Sequence, residues 1–565
     1  MTADTPAETI NGIARRWWKE AVVYQIYPRS FADSNGDGIG DIPGIISKLD
    51  YVADLGVDVI WLSPHFDSPN ADNGYDIRDY RRVMAEFGTM ADFDRLLVEM
   101  TKRGLKLVVD LVVNHTSDEH EWFVDSRSSR GADRRNYYIW RDGNHGVPNN
   151  YPSFFGGSAW QRDEATGDYY LHYFARKQPD LNWDEPRVRA DVYDIMRFWL
   201  DKGVAGFRMD VIPFISKRQD FPDLTPDELR RPQDVYASGP HVHEYLQEMH
   251  REVLAHYDVM TVGEAFGVTE QQAPLFVDES RHELDMIFHF DVVRIDRDGW
   301  RKAAWTLPRL KAIYTRLDQV VGKTGWNTVF LGNHDTPRAV SHYGDEDPAF
   351  RIPSAKALAT MMLTQRGTPF IFQGEELGLT NFPFSRIDEF DDVEAKGQWI
   401  DEVEAGRVQA DEFIAHLRHT SRDHARKPMP WTAGPFGGFT TGDKPWFALH
   451  PDFPTINAAA ALADEHSVYR HYQALLRLRR AMPALVYGDY LDLDPEHERV
   501  FVYTRTLDQV RVLIAVNFGR DEELLRLPDG IEARELLLGN RPERTGITHA
   551  TALELAPWEG LILRA

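Results

Sequence analysis

Cysteine is absent from all 565 residues. That excludes disulfides and thiolate metal sites, and nothing in the composition then calls for an oxidising compartment. Long apolar runs are missing too. None approaches the roughly 18 residues of a membrane span, and the opening stretch, MTADTPAETINGIARRWWKE, has no apolar core of a secretion signal. These absences predict a soluble, cytoplasmic protein. Basic residues are outnumbered, 64 against 89 acidic, for a net charge of −25. The balance argues against nucleic acid or an anionic membrane as partner. No internal repeat and no low-complexity segment occurs. Length alone suggests roughly two to four domains, and a single barrel of about 250 residues or more with insertions also fits.

What is present is a series of eight short, near-continuous apolar runs: Ala21–Tyr27, Val57–Ser63, Leu105–Val113, Gly203–Val211, Val259–Ala265, Met286–Val292, Thr328–Asp335 and Thr368–Glu376. Most are followed by an amphipathic stretch such as Met90–Arg103 or Val188–Lys202. Continuous apolarity marks parallel strands covered on both faces. Eight β–α units predict an α/β fold of the (β/α)8 barrel type, with a doubly wound sheet as the alternative. The excursion between the third and fourth runs is rich in Gly, Asn, Tyr and Trp and too long for a plain loop. It reads as a small inserted domain. Alternating runs near the C-terminus, such as Val500–Arg505 and Arg511–Val516, predict an antiparallel β-sandwich. The expected domains are a barrel over 16–113 and 183–490, an insert over 114–182, and a β-domain over 491–565.

The stretch GVAGFRMDVI, Gly203 to Ile212, sets an arginine and a carboxylate two residues apart at a strand end. On a strand such residues share a side. Arg208 would hold Asp210 ionised and lower its pKa, as suits a carboxylate nucleophile. Alone, the pair is explained as well by a structural ion pair. It has company, however. Glu264 and Asp335 end the fifth and seventh runs, and catalytic groups of barrel enzymes sit at that face. Apolar neighbours in TVGEAFG predict a raised pKa for Glu264, which a general acid needs. Cleavage of a glycosidic bond needs one ionised and one protonated carboxyl group. Asp110, Asn114 and His115 end the third run, Tyr75 and Asp76 follow the second, and His334 adjoins Asp335.

Together DLVVNH, GFRMDV, VGEAFG and FLGNHD, in this order, resemble the four signature regions of the α-amylase superfamily, glycoside hydrolase family 13; QPDLNW, Gln178 to Trp183, resembles its fifth. The likeness spans essentially the whole chain and is greatest to the oligo-1,6-glucosidase and sucrose isomerase group. It implies a retaining double displacement with Asp210 as nucleophile, Glu264 as acid/base and Asp335 as transition-state stabiliser. It implies sugar contacts from Tyr75, Asp76, His115, Phe155, Phe174, Gln178, Arg208, Val211, Phe266, Phe290, Arg294, His334 and Arg422. The segment DSNGDGIGD offers oxygens at alternate positions, as a hard cation prefers, but Gly44 stands where an EF-hand needs Glu. The resemblance implies one structural Ca²⁺ there, held by Asp33, Asn35, Asp37, Asp41 and the Ile39 carbonyl. A metal-free turn is the alternative.

Within the group, Val211 resembles α-1,6-acting members, whereas Thr marks the α-1,4-acting ones. Phe266, Phe290 and the segment RIDRD, Arg294 to Asp298, resemble the fructose site of sucrose isomerases, while Glu375 resembles the hydrolases. The expectation is an α-glucosidase for short α-glucosides, including sucrose, isomaltulose and trehalulose, with a sucrose isomerase as runner-up. A monomer or homodimer acting on small sugars is expected, without organic cofactor. His424, Lys427 and Pro430 depart from the group and put the contacts to the leaving sugar in question. A transporter heavy chain of this fold is disfavoured by the three complete acids, and a polymer-degrading amylase by the aromatic insert.

Overall fold

The computed structural model describes residues 8–237 and 239–565; the first residues of the N-terminal stretch read above lie outside them. All eight expected runs contain strands. These are β1 (Val23–Ile26), β2 (Val59–Leu62), β3 (Lys106–Leu111), β4 (Gly206–Met209), β5 (Met260–Glu264), β6 (Met286–Phe288), β7 (Thr328–Val329) and β8 (Thr368–Phe372). They form one eight-stranded sheet in the order β6-β5-β4-β3-β2-β1-β8-β7, every pairing parallel. The ends, β6 and β7, lie side by side, and the Thr328 hydroxyl donates to the Ile287 carbonyl at 2.9 Å. A side chain thus helps to close the (β/α)8 barrel.

Pleating divides each strand between two cores. Val59 and Trp61 of β2 join Val23, Val108, Val262, Phe288 and Phe370 inside the barrel. Ile60 and Leu62 face outward to the helical layer with Leu107, Val109, Phe207 and Met209. Helix Met90–Lys102 opens with a Thr89/Asp92 capping box, and Pro186–Asp201 starts on proline with Glu185 as its cap. Gly206 in β4 has φ +150°, and a Cβ there would stand 1.9 Å from the Met260 carbonyl oxygen. Only glycine lets β4 lie this close to β5.

Between β3 and β4 a three-stranded antiparallel sheet forms from Trp140–Arg141, Tyr169–Leu171 and Trp160–Arg162. Its aromatic core, with Tyr151, Trp160 and Tyr173, is continuous with Val211 and Phe214, which follow β4. The C-terminal part carries a five-stranded antiparallel sheet facing a two-stranded one, Glu523–Arg526 with Ala552–Leu555. Its Arg505 is fully buried and donates to the carbonyls of Thr364, Leu485, Val486 and Gly488, tying this sheet to the barrel helices. Among the described residues no helix is long and apolar enough to cross a membrane.

Candidate active site

Three strand ends meet at the C-terminal rim. Register places Arg208 beside Asp110 of β3 and Val262 of β5, with its side chain on the barrel's inner face beneath Asp210. The guanidinium is buried and donates to three carboxylates: Asp110 (2.7 Å), Asp210 (2.5 Å) and Glu264 (2.7 Å). Asp110 also accepts from the Trp61 indole at 2.7 Å. Burial pushes Asp210 up to about 6 against the pull of Arg208. The sequence expectation of a lowered pKa is therefore corrected: Arg208 does grip the acid, but desolvation outweighs it. Burial lifts Glu264 further, to about 8, as expected. The same guanidinium reaches both acids, Asp210 through Nη1 and Glu264 through Nη2, so one cation ties the two carboxyl groups together.

Asp335 is held differently. Burial would raise it, yet the guanidinium groups of Arg422 and Arg426 keep it well below the usual carboxylate range. Arg426 donates to it at 2.7 Å and Arg422 at 3.3 Å, while Arg422 also grips Asp392. His334 is bracketed by Gln25 (2.8 Å) and the Tyr75 hydroxyl (2.6 Å), and burial pushes it down to about 3. It is a neutral hydrogen-bonding group. His115 is likewise neutral by burial, at about 3, and sits within bonding distance of Gln178 and the Tyr75 carbonyl.

These acids open onto a cavity of about 360 Å³. Asp210, Glu264, Asp335, Tyr75, His115, Phe155, Phe174, Val211, Phe266, Phe290, Arg294 and Arg422 line it, as the sequence places them. Arg208, Gln178 and His334 stand behind the wall and act on the groups that form it. Asp76 does not belong there. Its carboxylate is fully buried and accepts from the backbone N–H groups of Ala71 (2.8 Å) and Asp72 (2.9 Å), closing the loop on itself. Asp72 lines the cavity instead, held by Gln178 at 3.0 Å and raised by burial to about 7. Sequence reasoning also missed Arg426, Glu394 and Arg297. The spacing of four from Arg422 is a usable signal for Arg426. Arg297 falls within the segment Arg294 to Asp298 that the sequence already singles out, and nothing in the sequence marks Glu394.

Val211 is the strained point. It has φ 34° and ψ 40°, a left-handed conformation that a β-branched residue rarely adopts and that costs about 1–3 kcal/mol. The strain turns its side chain into the cavity and its N–H toward Glu264, at 3.2 Å. Beyond it, Phe266 and Phe290 have centroids 5.3 Å apart, and the Arg294 guanidinium lies over both rings, at 4.4 and 5.4 Å. Arg294 forms no ion pair among the described residues, and its Nε has no partner. His424, Lys427 and Pro430 are absent from the cavity wall. His424 bonds Phe382 N–H and the Leu417 carbonyl, and the Lys427 ammonium is caged by Phe382, Phe384 and Phe447. The departures are structural, not contacts to the leaving sugar.

In the loop Asp33–Asp41, hydrogen bonds already shape the chain. Asp33 accepts from the N–H groups of Asn35, Gly36 and Gly38 and from Thr440, and Asp41 caps the helix Ile42–Ser47 and holds Ser34. Asp37, Asn35 and the Ile39 carbonyl keep spare lone pairs. The donor set is all oxygen, which fits a hard cation.

The family model for the alpha amylase catalytic domain matches residues 25–488. An oligo-1,6-glucosidase of Parageobacillus thermoglucosidasius is 49% identical over 559 residues, covering 97% of this chain and 99% of that one. The trehalulose synthase of Pseudomonas mesoacidophila superposes with a TM-score of 0.96 at 52% identity, covering 98% of this chain and all of the other. The isomaltulose synthase of Protaminobacter rubrum gives 0.96 at 53% identity, over 97% and 99%. The chain belongs to the α-amylase catalytic-domain family.

Proposed function

We propose that this glycoside hydrolase is a retaining α-glucosidase that releases terminal glucose from short α-glucosides, with α-1,6 links and sucrose-type links as its substrates. The observation that carries the reading is the pair Asp210 and Glu264: one arginine grips both, yet burial holds them about two pH units apart. At neutral pH Asp210 is ionised and Glu264 protonated, which is the division of labour a double displacement needs. Glu264 protonates the glycosidic oxygen as Asp210 attacks the anomeric carbon; the aglycone leaves, and Glu264 then takes the proton of the water that cleaves the glucosyl ester. Asp335, ionised between Arg422 and Arg426, is placed to accept hydrogen bonds from the sugar hydroxyls. The sucrose isomerase reading is supported by the Phe266–Phe290–Arg294 cluster. Incubation with concentrated sucrose and with isomaltose, followed by chromatography, tests the choice. Glucose and fructose as main products of sucrose, with trehalulose or isomaltulose as minor ones, are expected. Sucrose isomers as the main product would make the chain an isomerase.

A calcium ion at Asp33–Asp41 would be structural, since the loop lies outside the cavity wall. Exhaustive chelation should lower the melting temperature and leave kcat unchanged while the fold persists, because a ligand of the native state stabilises it. An unchanged melting curve with no metal by elemental analysis would remove the site. A cytoplasmic location and a monomeric or homodimeric state complete the proposal.

A further inference from the structure

Behind the cavity wall, a buried cluster ties the insert to the barrel through hydrogen bonds whose directions are fixed. Lys217 follows the turn Ile212–Phe214 after β4. Its ammonium donates to the Asn114 side-chain oxygen (2.7 Å) and the Phe214 carbonyl (2.8 Å), with Asp180 of the insert at 3.4 Å. Lys217, Asn114 and Asp180 are all buried, the lysine at 3% exposure. An ammonium carries only donors, so the Asn114 atom that faces it is the oxygen. The amide nitrogen therefore points the other way, toward Nδ1 of His115 (3.1 Å) and Oδ1 of Asp180 (3.4 Å).

That orientation decides what His115 presents. A neutral imidazole has one N–H and one lone pair. Nδ1 meets the Asn114 N–H, so Nδ1 is the acceptor. The proton belongs on Nε2, which donates to the Tyr75 carbonyl at 3.1 Å. The Gln178 nitrogen stands 3.2 Å from Nε2, but its own N–H groups go to Asp72 (3.0 Å) and the Tyr75 carbonyl (3.3 Å). Its oxygen is held away by the Ala175 N–H at 3.0 Å. Nε2 is also the cavity end of the ring. Tyr75 and Asp72, which surround it, line the cavity with His115, whereas Asn114 and Lys217 do not.

We propose that Lys217 is a positioning residue that, through the Asn114 amide, sets the His115 tautomer, so that the ring offers a sugar hydroxyl an N–H and not a lone pair. Without the ammonium, the Asn114 amide is free to turn over. Its oxygen would then accept from Nδ1–H, and Nε2 would set a lone pair against the Tyr75 carbonyl. The inference deepens the glucosidase reading above, on which its kinetic test rests.

Neutron diffraction from deuterated crystals should place the ring deuteron on Nε2 in the wild type. In Asn114→Asp, whose carboxylate only accepts, it should move to Nδ1. With an aryl α-glucoside, Asn114→Asp and Lys217→Met should each raise KM about tenfold, the worth of one hydrogen bond, with kcat within about threefold of wild type. His115→Gln keeps an amide nitrogen near the place of Nε2 and has no tautomer to set. In that background Lys217→Met should raise KM further by no more than about twofold, because the two residues act through one contact. A deuteron on Nδ1 in the wild type, a deuteron still on Nε2 in Asn114→Asp, or the same tenfold loss from Lys217→Met in both backgrounds would overturn the proposal. Should Lys217→Met fail to fold, the neutron maps and the KM of Asn114→Asp decide. A wild type inert toward every α-glucoside would sink the glucosidase reading, and the neutron maps would still judge the tautomer.

Discussion

The two ends of the cavity are built on opposite principles. At the acid-lined end every charge has a fixed partner: Arg208 serves three carboxylates, and Asp335 is held by Arg422 and Arg426. At the aromatic end, Arg294 rests on two rings without an ion pair among the described residues, Arg297 comes from a two-residue hairpin strand outside the barrel sheet, and Glu394 comes from the helix Val393–Trp399. The first end is preorganised for one charge distribution, and donors and acceptors that need no rearrangement are what stabilise a transition state. The second offers surface and water exclusion, which many leaving sugars satisfy about equally. Chemistry should therefore be intolerant of substitution at one end, and product choice easily changed at the other.

Substitution of Glu264 gives the largest effect. Glu264→Gln keeps the shape but removes the proton, and general acid catalysis is worth about 10²–10⁴-fold. Activity toward poor leaving groups should fall by that factor, and azide should partly restore turnover of activated glucosides. NMR of the wild-type reaction should show α-glucose released first; β-glucose first would end the retaining mechanism.

Next is the pH profile of the acid end. Activity requires Asp210 without its proton and Glu264 with one. Burial places Asp210 near 6 and Glu264 near 8, so kcat/KM should rise as pH climbs through about 6 and fall beyond about 8. The two titrate as a coupled pair, so the limbs belong to the pair rather than to either acid. A profile flat to pH 10 would refute the assignment of Glu264. Each limb should change activity about tenfold per pH unit beyond its midpoint.

The same contrast decides what could be read from the sequence. Strand ends are legible because an apolar run fixes both the position and the side of the residue that follows it, as with Asp210, Glu264 and Asp335. Loops are not. DNGYD contains two acids, and only the folded turn shows that Asp76 bonds its own backbone while Asp72 faces the cavity. His424 and Lys427 follow Arg422 within five residues, yet they turn into an aromatic cluster behind the wall. The sign of the Asp210 shift was also out of reach, because pairing is visible in a motif and the depth of burial is not. The strain at Val211 escapes sequence reading for the same reason.

Val211 lies on the border between the two ends. It offers a methyl group where an α-1,4-acting relative of the group would offer a hydroxyl. Val211→Thr keeps the β-branch, hence the same backbone strain, so it isolates that hydroxyl. Gaining the hydrogen bond should raise maltose relative to isomaltose hydrolysis by about 10–200-fold in kcat/KM, the usual 1–3 kcal/mol. If the wild type already prefers maltose strongly, residue 211 does not govern linkage here.

The smallest effects are expected where the aromatic end acts alone. Phe266 and Phe290 make a tilted pair, and each aromatic contact contributes about 1 kcal/mol, or about fivefold in a ratio of products. Phe266→Ala and Phe290→Ala should each shift sucrose turnover toward glucose and fructose by about that factor. Hydrolysis of an aryl glucoside should change far less, because no acid or arginine of the other end is touched. The two rings share Arg294, so their effects should not add: removing either ring already loosens the guanidinium that lies over both. A double variant no worse than the worse single one would place the retention of fructose in the three-membered cluster. Strict additivity would mean that the rings act independently and that Arg294 is a bystander. A fall in aryl-glucoside hydrolysis as large as the shift in products would erase the division between the two ends.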